Sequence, residues 1–273
     1  MALVVGTMLF SYTGCSDKKA TPNDSTALTS DSSGVAADTM ETIISEAPMP
    51  KTADELFDDF FFNFAANRKL QYQRVKFPLP VDNYGKQTEV GRGQWRMEHF
   101  FMKQDYYTLI FDNLRQMNLV KDTAVSHVVV EKINLSRSRV KQYFFNRDGG
   151  RWMLTSVSSK SIAANNNSSF LIFYRRFAVD SAFQVKSVND PLKFTGPDPD
   201  DEFSTMSGIL APEQWPSFAP ELPSGVIYNI LYGQTYAEST RKIFVIRGIA
   251  NGLETELTFE RRNKHWKLMK LSM

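Results

Sequence analysis

The sequence predicts an α+β protein built twice in tandem, and three observations lead there. A run of phenylalanines at helical spacing occurs twice, 113 residues apart. Each run is followed, after an irregular middle, by strands that alternate apolar and polar residues around short turns. A lone Gln-Trp pair stands at a matching place in both middles.

The chain has 273 residues, enough for about two domains of ordinary size. Apolar residues make up 42% and charged residues 23%, the balance of a globular protein. The net charge is 32 − 30 = +2 with no dense basic run, which argues against a nucleic-acid partner. The single cysteine, Cys15, excludes an intrachain disulfide.

Leu3–Phe10 is mostly apolar, too short to span a bilayer but the right length for a signal-peptide core. Thr13-Gly14-Cys15 follows and resembles a bacterial lipobox, although Tyr12 stands where leucine is usual and no Lys or Arg precedes the apolar stretch. The expectation is a signal peptide over 1–14, cleavage before Cys15, and acylation of its thiol. Several acyl chains hold a protein stably on a membrane where one would not. Residues 15–51 are rich in Ser, Thr, Asp, Ala and Pro and contain no aromatic residue, so they read as a tether, with a short helix near Thr39–Ser45. The expected place is the cell envelope, at the outer membrane by analogy with lipoproteins carrying serine after the cysteine.

Sliding the chain by 113 residues aligns Phe57, Phe60, Phe64, Ala65, Gln71, Val75, Pro78 and Leu79 with Phe170, Phe173, Phe177, Ala178, Gln184, Val188, Pro191 and Leu192. That is eight identities in 23 ungapped positions, where chance gives about one or two. Gln94-Trp95 meets Gln214-Trp215 at an offset of 120, and Tyr107 meets Tyr228 at 121. At 114, Phe145, Arg147, Trp152, Leu154 and Ser158 meet Phe259, Arg261, Trp266, Leu268 and Ser272. The drift predicts a longer polar loop in the second copy near Thr195–Met206. The predicted domains are residues 52–160 and 161–273.

In each copy an amphipathic helix comes first. Thr52 and Glu55 read as a capping box, and Phe57, Phe60, Phe61 and Phe64 form one apolar stripe, repeated by Phe170, Phe173, Tyr174 and Phe177. Leu70–Phe77 alternates loosely and reads as a strand ending at Pro78. His127–Ile133, Val140–Asn146 and Trp152–Ser158 read as strands, the last two joined at Asp148-Gly149-Gly150. Ile243–Ile249, Thr255–Glu260 and Trp266–Ser272 repeat them, with a turn near Asn263-Lys264.

The Leu56-Phe57-Asp58-Asp59-Phe60-Phe61 opening, Phe77-Pro78-Leu79, the lone Gln-Trp and the closing Arg-Trp-x-Leu resemble the DUF4348 lipoproteins of Bacteroides-type bacteria. That family is of unknown function and similar in fold to nuclear transport factor 2 (NTF2). The resemblance covers roughly Lys51–Met273. It implies two NTF2-like cone domains, each an N-terminal helix packed on a curved antiparallel sheet with a concave face and an inner pocket. It implies no activity.

No catalytic constellation stands out. Asp105-Tyr106-Tyr107 is the nearest acid/base candidate, but its second-copy counterpart Val226-Ile227-Tyr228 has no acid. His127 and Glu131 share one strand face, which gives two ligands where a closed zinc site needs four. The other two histidines are His99 and His265, the latter beside a hairpin turn and read as solvated, and no phosphate loop or Gly-x-Ser-x-Gly elbow occurs. Arg175-Arg176 and Arg261-Arg262 read as solvated pairs. No cofactor or metal is expected. Trp95, Tyr107, Trp215 and Tyr228 are the candidate ligand-binding residues, because flat aromatic faces with one polar atom suit sugars, peptides or lipids; the plainer reading of the two tryptophans is a lid over the core. The functional expectation is a non-enzymatic envelope module that binds a protein, glycan or small ligand through its concave faces. A pocket hydrolase or isomerase on the same fold is the alternative.

Overall fold

The computed structural model describes residues 54–101, 105–198, 200–233, 239–249 and 252–273. Cys15, the tether, the helix expected near Thr39–Ser45, and Thr52 lie outside them.

Helix α1 (Phe57–Ala66) forms as its spacing predicts and buries Phe57, Phe60, Phe61, Phe64 and Ala65. Its start is later than a capping box at Thr52 implies. Leu56 occupies the N-cap without a side-chain bond, and Asp58 and Asp59 put negative charge in the first turn, where the helix dipole favours it. Asn67 ends the helix in an extended conformation and caps the next one, accepting from the Leu70 N–H at 2.9 Å. Helix α2 (Arg68–Arg74) therefore replaces the strand expected over Leu70–Phe77: a side-chain cap outweighs loose alternation. In the second half, α3 (Ser168–Phe177) and α4 (Ser181–Ser187) repeat the pair, with Asp180 capping α4 through the Phe183 N–H at 2.9 Å. The matched glutamines act alike. Gln71 Nε2 donates to the Phe64 carbonyl at 3.1 Å and Gln184 Nε2 to the Phe177 carbonyl at 2.7 Å, tying each second helix to the end of the first.

The strands are β1 (Leu79–Asn83), β2 (Lys86–Val90), β3 (Tyr106–Phe111), β4 (His127–Asn134), β5 (Arg139–Asp148), β6 (Arg151–Ser161), β7 (Val188–Asp198), β8 (Asp201–Leu210), β9 (Val226–Tyr232), β10 (Arg241–Gly248), β11 (Glu254–Arg262) and β12 (His265–Ser272). The two closing hairpins turn as their sequences require, with positive φ at Gly149 and Gly150 and at Asn263 and Lys264. The expected loop near Thr195–Met206 is instead the end of the long β7–β8 hairpin, which carries Phe203 and Ile209 exposed.

Two six-stranded sheets result, ordered β2-β1-β6-β5-β4-β9 and β8-β7-β12-β11-β10-β3. Two features depart from a pair of antiparallel sheets, each made by its own stretch of chain. First, β1 runs parallel to β6, and β7 parallel to β12. Second, the third strand of each half is exchanged. β3 pairs with β10 in the sheet of the second half, and β9 pairs with β4 in the sheet of the first. Both exchanged strands are buried on both faces, which is why they read as nearly unbroken apolar runs, Tyr-Tyr-Thr-Leu-Ile-Phe and Val-Ile-Tyr-Asn-Ile-Leu-Tyr.

Two aromatic cores follow from this pairing. The first holds α1 against Phe145, Trp152 and the exchanged residues Tyr107, Leu109, Phe111, Tyr228, Ile230 and Tyr232. The second holds Phe170, Tyr174 and Phe177 against Phe244, Phe259 and Trp266. Ile110 and Ile227 reach this second core from the same two exchanged strands. Phe61 meets the rings of Phe100, Phe101 and Phe145 at 5.0, 5.5 and 5.7 Å. Each such buried phenylalanine stabilises the fold by roughly 1.5–3 kcal/mol. The sheet faces on which a ligand was expected are thus covered by the protein's own rings.

Candidate functional site

The Gln-Trp pairs have a local cause. Gln94 Oε1 accepts from the Gly91 N–H at 3.0 Å, and Gln214 Oε1 from the Ala211 N–H at 2.8 Å. Each glutamine closes a 3₁₀ turn, and the next residue is turned inward. Trp95 is 7% exposed and Trp215 fully buried. The Trp215 ring nitrogen donates to Gln184 Oε1 at 3.0 Å, while the Trp95 carbonyl accepts from the Tyr72 hydroxyl at 2.8 Å. Trp95 joins the first core and Trp215 the second. Tyr107 and Tyr228 come together in the first core, on either side of Phe101 at 5.7 and 4.6 Å. The four expected ligand-binding residues therefore split three to one between the cores, all buried.

His127 and Glu131 share a face of β4 as expected. His127 is exposed and lies with Nδ1 2.7 Å from Asn146 Oδ1. Glu131 is buried and accepts from Gln142, Asn165 and Asn229 at 2.8, 2.7 and 2.9 Å. Among the described residues no cluster of three or more His, Cys, Asp or Glu is placed to hold a metal.

Two polar constellations escaped the sequence because their members are far apart in the chain. In one, the Tyr232 hydroxyl donates to Asp58 Oδ1 at 2.7 Å, and Arg247 donates to the Tyr107 hydroxyl at 3.1 Å and to Glu254 at 2.7 Å. Burial pushes the Asp58 carboxyl up, only partly offset by Tyr232 and Arg247. The strand exchange creates this site, since Tyr107, Tyr232 and Arg247 sit on β3, β9 and β10. In the other, Glu98 takes Lys132 at 3.0 Å and Lys141 at 2.7 Å. Burial would raise the Glu98 carboxyl, but the two ammonium groups and the Tyr143 hydroxyl outweigh it and lower it from the usual 4.5 to about 2. A lowered folded pKa contributes stability present above the unfolded value and lost as pH falls through the folded one. The acid limb of a melting curve between pH 4.5 and about 2 is therefore expected to flatten in Glu98→Gln. An unchanged limb would assign acid sensitivity elsewhere.

An open groove of about 850 Å³ lies in the second half, between α3, α4 and the β11–β12 turn. Its floor is aromatic, from Phe173, Phe183 and Trp266. Arg176, Lys186, Arg262, Lys264 and Lys267 stand around it, and no aspartate or glutamate lines it. Arg176 pairs with Asp180 and stacks 4.3 Å over the Phe183 ring, and Arg262 pairs with Glu260. Lys186, Lys264 and Lys267 have no carboxylate partner among the described residues. The sequence signal was present in Arg262, Lys264 and Lys267 flanking a turn, but the α4 lysine and the aromatic floor reach them only through folding.

A sequence profile described as a domain of unknown function (DUF4348) matches residues 36–273. The crystal structure of an NTF2-like protein from Bacteroides fragilis is similar at 42% identity and a TM-score of 0.75, over 82% of this chain and 98% of that one. No curated protein matches the chain.

Proposed function

The chain belongs to the DUF4348 family, and from that premise we propose that it is a lipid-anchored cell-envelope module that binds an anionic ligand without catalysis. One observation carries the reading: the second-half groove sets five cations over an aromatic floor and has no carboxylate of its own. Cations on a fixed apolar support attract and orient an anion, and the exposed floor adds contact area. The sheet faces themselves hold the rings of α1 and α3, which favours a ligand outside them. The lipobox-like Thr13-Gly14-Cys15 and the polar stretch after it support an anchor at Cys15 on the outer membrane, with reach for capture.

Two measurements test this. With dextran sulfate as a generic polyanion, the intact protein is expected to bind, and the double variant Arg262→Glu, Lys264→Glu to bind about tenfold more weakly or less. Equal binding by both would remove the groove from the proposal. In cell fractions, Cys15→Ala is expected to move the protein from membranes to the soluble fraction; retention on membranes would defeat the anchor.

The pocket-enzyme alternative rests on Asp58, whose raised carboxyl beside Tyr232 and Tyr107 is the kind of group acid catalysis uses. It predicts turnover abolished by Asp58→Asn, whereas the binding reading predicts ligand affinity unchanged by that substitution.

A further inference from the structure

The first half contains its own version of the groove, and there it is filled. The Asp54 carboxylate takes both terminal nitrogens of Arg74, at 2.8 and 2.7 Å, and the backbone N–H of Trp152 at 3.1 Å. Arg74 in turn lies 5.6 Å over the Phe60 ring, which is fully buried. Burial would raise the Asp54 carboxyl, and Arg74 and the Trp152 N–H lower it. The residues just before α1 thus insert a carboxylate between the helix pair and the closing hairpin.

At the same spacings, Trp152 becomes Trp266, Phe60 becomes Phe173, Arg74 becomes Ser187, and Asp54 becomes Asn167. The two polar replacements open the second site. Ser187 is too short to cover Phe173, which is only partly buried. Asn167 does not reach outward; it is 3% exposed and accepts from the buried Lys242 ammonium at 2.7 Å. The rim changes in the same sense: Asp148, Gly150 and Met153 of the first half become Arg262, Lys264 and Lys267. The second site has lost its internal carboxylate and gained positive charge.

Resting on the anion-binding reading above, we infer that the second-half groove receives an extended peptide segment of a partner protein, bearing an aspartate or glutamate followed by an apolar residue. The chain's own Asp54-Glu55-Leu56-Phe57 is the built-in counterpart. The partner carboxylate sits among Lys186, Lys264 and Lys267, and its apolar residue lies on Phe173 and Trp266. Main-chain positioning with pockets for single side chains is a general mode of peptide capture.

The test uses the intact protein and a fluorescent peptide copying residues 52–57, Thr-Ala-Asp-Glu-Leu-Phe, read by anisotropy. Saturable binding is expected, weakened about tenfold or more when both acids of the peptide become amides, and again in Lys264→Glu, Lys267→Glu. The two lysines are on the surface, and an unchanged melting temperature checks that these variants fold. Binding is also expected to weaken with added salt. Equal binding of the amide peptide overturns the inference, as does binding of dextran sulfate but not of the peptide; in that second outcome the anion-binding reading survives. If neither probe binds, both fall.

Discussion

Produced as two chains, residues 1–161 and 162–273, the halves are expected to lack a cooperative thermal transition alone and to regain one when mixed. The reason is the exchange of β3 and β9. In isolation the first half loses the strand that makes seven register pairs with β4, and the second loses the one that makes six with β10. Each fragment also holds a strand whose hydrogen-bonding partner is gone. Ile110 of the first fragment packs in the second core, and Tyr228, Ile230 and Tyr232 of the second fragment pack in the first, so these side chains pass from burial to water. At about 1.5–3 kcal/mol for each large side chain, three such residues cost most of the net stability of an ordinary domain. Near-ultraviolet circular dichroism and calorimetry on the separate and mixed fragments read this directly. A monomeric 162–273 fragment with a sharp melt would show that the exchange contributes little.

Glu131→Ala is expected to lower stability by about 3–5 kcal/mol, because it strands three buried amide donors at roughly 1–3 kcal/mol each while relieving the burial of a carboxylate. At about 2–4 °C per kcal/mol, the melting temperature falls by roughly 6–20 °C. Glu131 is 1% exposed and serves as acceptor for three amides, Gln142 on β5, Asn165 before α3, and Asn229 on the exchanged β9. Asn229 also accepts from the Ile110 N–H on β3 at 2.9 Å, so the network ties both exchanged strands to the segment that joins the halves. Nearby, the buried Lys242 ammonium binds Asp112 and Asn167. Removing the carboxylate leaves buried donors without an acceptor, which costs more than the bonds contribute. Glu89→Ala on the exposed face of β2 is the control, expected within about 0.5 kcal/mol. Asn229→Ala combined with Glu131→Ala is expected to fall short of the sum of the single effects, because both break one network. A shift below about 2 °C for Glu131→Ala would sink the claim that the network holds the halves together.

Much of the architecture was legible along the chain because its causes are local. The phenylalanine stripes of α1 and α3 are set by helical spacing. The closing hairpins follow from turn residues that accept positive φ, and the Gln-Trp pairs from a glutamine that closes its own turn. Helix α2 was misread because Leu70–Phe77 has a weak alternation, while the decisive contact, Asn67 to the Leu70 N–H, is a cap. Strands β1, β2, β3, β7, β8 and β9 fall where an irregular middle was expected: β2 is exposed and polar with little periodic signal, and β3 and β9 are short apolar runs whose sequence does not distinguish strand from helix. Of the candidate site, only the charges beside the Asn263-Lys264 turn stood near one another in sequence. Asp58 and Tyr232 meet across 174 residues, and no spacing rule brings such a pair together.

The sequence alone showed a helix-and-strand pattern that recurs along the chain, since repetition, periodicity and turn chemistry are properties of neighbouring residues. Tertiary structure decided the rest: which sheet each third strand joins, and which copy of the groove is closed. An apolar run states that a strand is buried on both faces but does not name its partner. Likewise, a carboxylate at Asp54 fills a site only because Arg74 and Trp152 are folded against it.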